Sequence, residues 1–220
     1  MRRTAALLFL CLVGLLCSFG CSSKDEPTAP ISTIAPLSEP APEPNSPANV
    51  LRLLEWSYNY RDENHYRTLF TSDCLFLFAS LDSSGSTYGD ARWTREDEMI
   101  SAHRLFQVTS KIQLRFDGNL TATPDPRPGK HPMWHKVINT HTQLHLVFRD
   151  HHVEDIFGPT TFFLVRGDSA SIPADIGAGP DSSVWYIDGW QDQTASHAGG
   201  TPNSAWTSLK KRYRDLYWPD

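Results

Sequence analysis

Between His135 and Arg149 the chain keeps a period of two: Ile138, Leu144, Leu146 and Phe148 are apolar, while His135, Asn139, His141, Gln143 and His145 are polar. Successive side chains on a strand point to opposite faces, so this segment requires a sheet with one covered and one wet face. Ile112, Leu114 and Phe116 alternate in the same way with Lys111, Gln113 and Arg115. Further strands are expected at Val153–Phe157, Thr160–Arg166 and Ser183–Gln193, and Cys74–Ala79 reads as a buried strand. Turn-rich loops at Asp117–His131 and Gly167–Ser182 interrupt them. An apolar sheet face needs a cover, and the rest of the sequence must supply it.

Helical spacing supplies that cover. Ser46-Pro47 pairs an N-cap residue with proline at the first helical position, and Val50, Leu51, Leu54 and Tyr58 follow at helical intervals as far as about Arg61. A short second helix fits Asn64 to Phe70. Thr94-Arg95-Glu96-Asp97 resembles a capping box with Asp in the acidic place. It opens a helix to about Phe106 that sets Met99, Ile100, His103 and Phe106 on one side. A last helix, Ala205 to Tyr217, carries Trp206, Leu209, Tyr213 and Leu216 on its apolar stripe, with Lys210, Lys211, Arg212 and Arg214 expected on the other face. Helices followed by a run of antiparallel strands define an α+β class, with N-terminal helices packed on a curved antiparallel sheet and a C-terminal helix added.

The element order resembles the nuclear transport factor 2-like fold and its SnoaL-like branch, over roughly Pro47 to Gln193. Tyr66-Arg67-Thr68-Leu69-Phe70 leading into Phe76 and Phe78, and Trp185-Tyr186-Ile187-Asp188-Gly189-Trp190 near the end, carry the likeness. The resemblance implies a cone-like, cystatin- or SnoaL-like architecture whose ligands sit inside the cone. Family enzymes place an Asp or His acid or base there. The steroid-isomerase base falls on the first strand, where this chain has Phe78-Ala79, so that reaction is disfavoured.

The first 46 residues read differently. Arg2-Arg3, an apolar run from Ala5 to Cys17, and Ser18-Phe19-Gly20 before Cys21 have the order of a secretory signal over residues 1–20. The run is shorter than the roughly 20 residues of a membrane span. Gly20-Cys21 resembles the bacterial lipobox, which implies lipidation of Cys21 and export to the cell envelope; Ser22 implies transfer to the outer membrane. Residues 21–46 form a tether with prolines at 27, 30, 36, 40, 42 and 44, reaching up to about 75 Å if extended. The remaining residues, 47–220, are expected to be a single domain.

Removing residues 1–20 leaves 18 basic against 25 acidic residues, moving the net charge from −5 to −7. An acidic surface disfavours nucleic acid, which needs a basic footprint. Membrane attachment therefore falls to the lipid. Cys74 becomes the single free thiol, and its apolar neighbours predict a buried, inert group.

No nucleophile–base–orienter set can be assembled from the sequence, and nothing in it implies a cofactor. The pocket-lining candidates are Tyr58, Tyr60, His103, Asp188 and Asp192. The orientation of the two aspartates depends on whether Gly189 marks a bulge. His141 and His145 lie about 13 Å apart along one strand, too far for one ion, and no metal site is expected. Trp134 and Trp218, beside a loop and the terminus, are the interface candidates among seven tryptophans. The reading is a tethered, non-catalytic binding or assembly module with a small apolar ligand or a protein partner, and a possible homodimer through the polar sheet face. Its rival is a SnoaL-like enzyme using general acid–base chemistry on a small apolar carbonyl compound.

Overall fold

The computed structural model describes residues 39–78, 93–196 and 205–215. Pro40–Asp220 forms one compact unit; of the preceding unit, Met1–Glu39, only Glu39 is described. Cys21, the 22–38 part of the tether, Leu216 and Trp218 thus lie outside the described residues.

Helix α1 spans Pro47–Tyr60, with the Ser46 side chain accepting from the Asn49 amide and Arg61 closing it in the left-handed conformation. Val50, Leu51, Leu54 and Tyr58 are buried along its stripe. Helix α2 is shorter than expected, Glu63–Arg67, and begins on an Asp62 cap. Strand β1 follows immediately as Phe70–Phe78, four residues earlier than its apolar core suggested. Helix α3, Arg95–Val108, opens on the full reciprocal Thr94–Asp97 capping box.

The strands are β2 (Thr109–Phe116), β3 (Thr123–Pro124), β4 (His135–Phe148), β5 (Val153–Arg166), β6 (Trp185–Asp192) and β7 (Ala195–Ser196). The main path runs β1-β6-β5-β4-β2, with β3 on β4 and β7 on β5. The ladder β2–β4–β5–β6 is antiparallel, and β1 joins it parallel to β6. The two strands expected around Phe157 and Thr160 are one, because Gly158-Pro159 stays paired to His141 and Thr142. Along β4 the alternation holds, with Ile138, Leu144 and Leu146 inaccessible and Asn139 and His141 exposed. Helix α4, Trp206–Asp215, completes the domain. Helices thus pack on one face of a curved sheet, with the C-terminal helix added.

Two stripes differ from expectation. The inward face of α3 is Glu98, Ser101, Ala102, Leu105 and Phe106, so Ile100 and His103 lie outside it. On α4, Lys210 is buried with Trp206 and Leu209 rather than sharing the basic outer face. In both cases the polar residue inside has found a partner there, which removes the usual penalty for burying it.

Candidate functional site

The inside of the cone is filled. Trp190 packs edge-on against Trp206 at 4.6 Å between ring centroids, with Phe162 at 4.9 Å and Phe76 at 5.9 Å. Tyr58 sits edge-on to Tyr66, Phe106 and Trp206. Phe76, Ile138 and Leu146 are all buried in the same packing; the Phe78 side chain lies outside the described residues.

A charged cluster is embedded in this aromatic packing. The Glu98 carboxylate, wholly inaccessible, accepts hydrogen bonds from the Tyr66 hydroxyl and from Trp93 Nε1 at 2.9 Å. Lys210 Nζ reaches the same carboxylate at 2.8 Å, with 3% of its side chain exposed. The ammonium also stands 3.4 Å from the centroid of Trp190 and a little over 5 Å from Phe76 and Trp206. Burial lowers the Lys210 pKa, and the attraction of Glu98 opposes that shift without cancelling it. Burial, then Glu98, holds both Tyr58 and Tyr66 above the ordinary phenol value, so both are neutral hydroxyls. Burial likewise lifts the Cys74 thiol, as suits an inert core cysteine.

Helix α4 seals the cluster and is anchored at each end. Asp192 on β6 acts as its N-terminal cap from outside the helix, accepting from the Thr207 amide at 2.8 Å and its hydroxyl at 2.6 Å. The Trp206 amide donates to Thr194 Oγ1 at 2.9 Å. At the other end, Arg104 donates to the carbonyls of Tyr213 and Arg214. Arg212 adds a 2.5 Å ion pair to buried Glu154 on β5.

The bulge at β6 explains the two aspartates. Phe163 pairs with Gly189 and Leu164 with Ile187, so Asp188 is the extra residue. Ile187 and Trp190 consequently both face the core, three positions apart. Asp192 follows Trp190 inward, while Asp188 meets Arg127 at 2.8 Å and Lys130 at 2.9 Å. Arg127 lies over the ring of Phe163, which places this cluster on the side of the sheet away from the core. Arg127 also grips Asp125; burial alone would raise that carboxyl, but the Arg127 hydrogen bonds outweigh it and hold Asp125 below its ordinary value.

The five candidates therefore divide. Tyr58 and Asp192 are inside, and Asp188 is on the opposite sheet face. Tyr60 is 44% exposed and packs on Trp56 at 4.7 Å. His103 lies in an open groove of about 650 Å³ with Met99, Ile100, Arg67, Arg95 and Asp175. There His103 Nδ1 contacts Glu63 at 2.8 Å, and Arg67 and Arg95 share Asp175 at 2.6 and 3.2 Å. These are contacts between surface side chains, one of them two guanidinium groups on a single carboxylate. Among the described residues, no three His, Cys, Asp or Glu side chains converge on a metal position. His145 instead pairs with Asp155 at 2.7 Å. No described helix is long and apolar enough to cross a membrane.

Sequence reasoning missed Glu98 and Lys210. A signal existed for Lys210: it lies four residues after Trp206 and three before Tyr213, within the apolar stripe. Glu98 falls one residue past the capping box, where an acid is expected for the helix dipole alone.

No family model matches the chain, and no curated protein does. Solved structures do. A conserved protein from Planctomyces limnophilus DSM 3776 aligns with a TM-score of 0.50 at 12% identity, over 68% of this chain and 94% of that one. A putative aromatic ring hydroxylase from Novosphingobium aromaticivorans gives 0.48 at 12%, over 74% and 92%. A nuclear transport factor 2-like superfamily protein from Salmonella enterica serovar Typhimurium LT2 gives 0.44 at 14%, over 71% and 92%. At such identities a likeness is one of fold. What the Planctomyces protein and this chain have in common is an α+β domain with helices laid on a curved sheet.

Proposed function

We propose that the chain is an exported lipoprotein whose nuclear transport factor 2-like domain is a non-catalytic binding or assembly module, held at the cell envelope by lipid on Cys21. The observation that carries the non-catalytic reading is the occupied cone. Trp206 and Lys210 of α4 fill the place where a substrate would have to meet an acid or base. Both tyrosines inside are neutral, and the one carboxylate of the Glu98 cluster is neutralised by Lys210. A general base needs free access to the proton it removes, and Glu98 has none while α4 is docked. The lipid anchor is supported by the order of charge, apolar run, small residues and cysteine at the N-terminus.

The test is exposure of the protein to small apolar ketones in deuterated water, followed by NMR. The module reading expects no exchange of the α-protons, with or without a bound ketone. Catalysed exchange that disappears in Glu98→Gln would establish the enzyme in its place.

A further inference from the structure

The Glu98 cluster has the composition of a cation receptor, and the cation it holds belongs to the chain. A carboxylate facing an aromatic surface is the arrangement that recognises an ammonium group, by charge and by the ring quadrupole together. Every part of the receptor except Trp206 comes from elements other than α4. Glu98 is on α3, Phe76 on β1 and Trp190 on β6, and Trp93 precedes α3. The carboxylate is also oriented without Lys210, since Tyr66 and Trp93 hold it.

We infer that the pocket beneath α4 is a binding site for small primary alkylammonium compounds, with Lys210 as its built-in occupant and α4 as the segment an external amine displaces. The Lys210 side chain is a four-carbon alkylammonium, so n-butylammonium is the matching probe. Helix α4 is ten residues long, and a helix of that length has little stability away from its docking surface. Undocking costs the Asp192, Thr194, Arg104 and Arg212 contacts and the burial of Trp206 and Leu209. A ligand that binds only the undocked state recovers that cost by mass action, in proportion to its concentration over its dissociation constant. The inference rests on the binding-module reading and gives it a ligand class.

The experiment follows amide exchange of the full wild-type chain in n-butylammonium chloride, with n-butanol and sodium chloride at equal concentration as controls. The amine alone is expected to speed exchange across residues 206–215 and to leave β4 and β5 unchanged. Calorimetry on Lys210→Ala should then show n-butylammonium bound about tenfold more tightly than by wild type, since the internal competitor is gone. Adding Glu98→Gln to that variant should abolish binding. Unchanged α4 exchange in wild type overturns the inference, and that result stands even if Lys210→Ala does not fold. Equal affinity of Lys210→Ala for n-butanol and n-butylammonium overturns it too. Either failure leaves the ketone experiment untouched, so the module reading is judged separately.

Discussion

At the scale of single residues, the burial of Glu98 and Lys210 is the costly choice in this molecule. A buried ion pair gains little over a well-packed apolar pair, but breaking it by removing one partner costs roughly 3–5 kcal/mol. Glu98→Gln is therefore expected to lose stability in that range in urea unfolding, because it strands the ammonium. Adding Lys210→Met should return a large part of the loss, as the pair then becomes neutral. Equal losses in the single and double variants would show that the pair is not coupled. Asp125 gives a separate expectation with a defined sign. Its folded pKa lies below the ordinary 3.8, so its contribution is complete above that value. The contribution disappears as the pH falls from about 4 through the lowered folded value. Thermal unfolding between pH 6 and 2 should thus be flatter for Asp125→Asn than for wild type, with the two curves converging at the acid end.

At the scale of elements, α4 depends on a cap borrowed from the sheet. Asp192→Ala removes the acceptor for two Thr207 donors, and amides of 206–215 should exchange faster while those of β4 and β5 keep their protection. Uniform acceleration throughout the domain would mean that α4 does not open by itself. The elements themselves were largely legible, because periodicity is a local property. Ser46-Pro47, the Thr94–Asp97 box and the β4 alternation each announce their structure within a few residues. The partner of a buried charge is not local. Glu98 and Lys210 meet across 112 positions, and neither residue type signals burial. His103 shows the converse error: its neighbours Met99 and Phe106 suggested an inward face, and the true stripe, through Glu98, Ser101 and Leu105, is displaced around the helix. The bulge in β6 was foreseeable from Gly189, but only pairing with β5 identifies Asp188 as the extra residue.

At the scale of the whole molecule, anchoring and folding should be separable. If Cys21 carries lipid, Cys21→Ser moves the protein from the membrane to the soluble fraction and leaves the melting temperature of the domain unchanged; membrane retention of the variant would remove the lipid from the proposal. The tether then serves as spacing only, and the domain answers for itself. Within that domain, the bulge gives β6 one residue more than its pairing with β5 uses. Loss of the single codon for Asp188 would remove the partner of Arg127 and Lys130. It would also remove the extra residue, leaving Ile187 and Trp190 two positions apart and both inward under strict alternation. Loss of the Gln191 codon would instead place Asp192 directly after Trp190 and turn it to the outer face, taking the cap of α4 with it. In a gene for this protein, Asp188 is a position in this strand where a codon can be lost while inside and outside keep their order downstream.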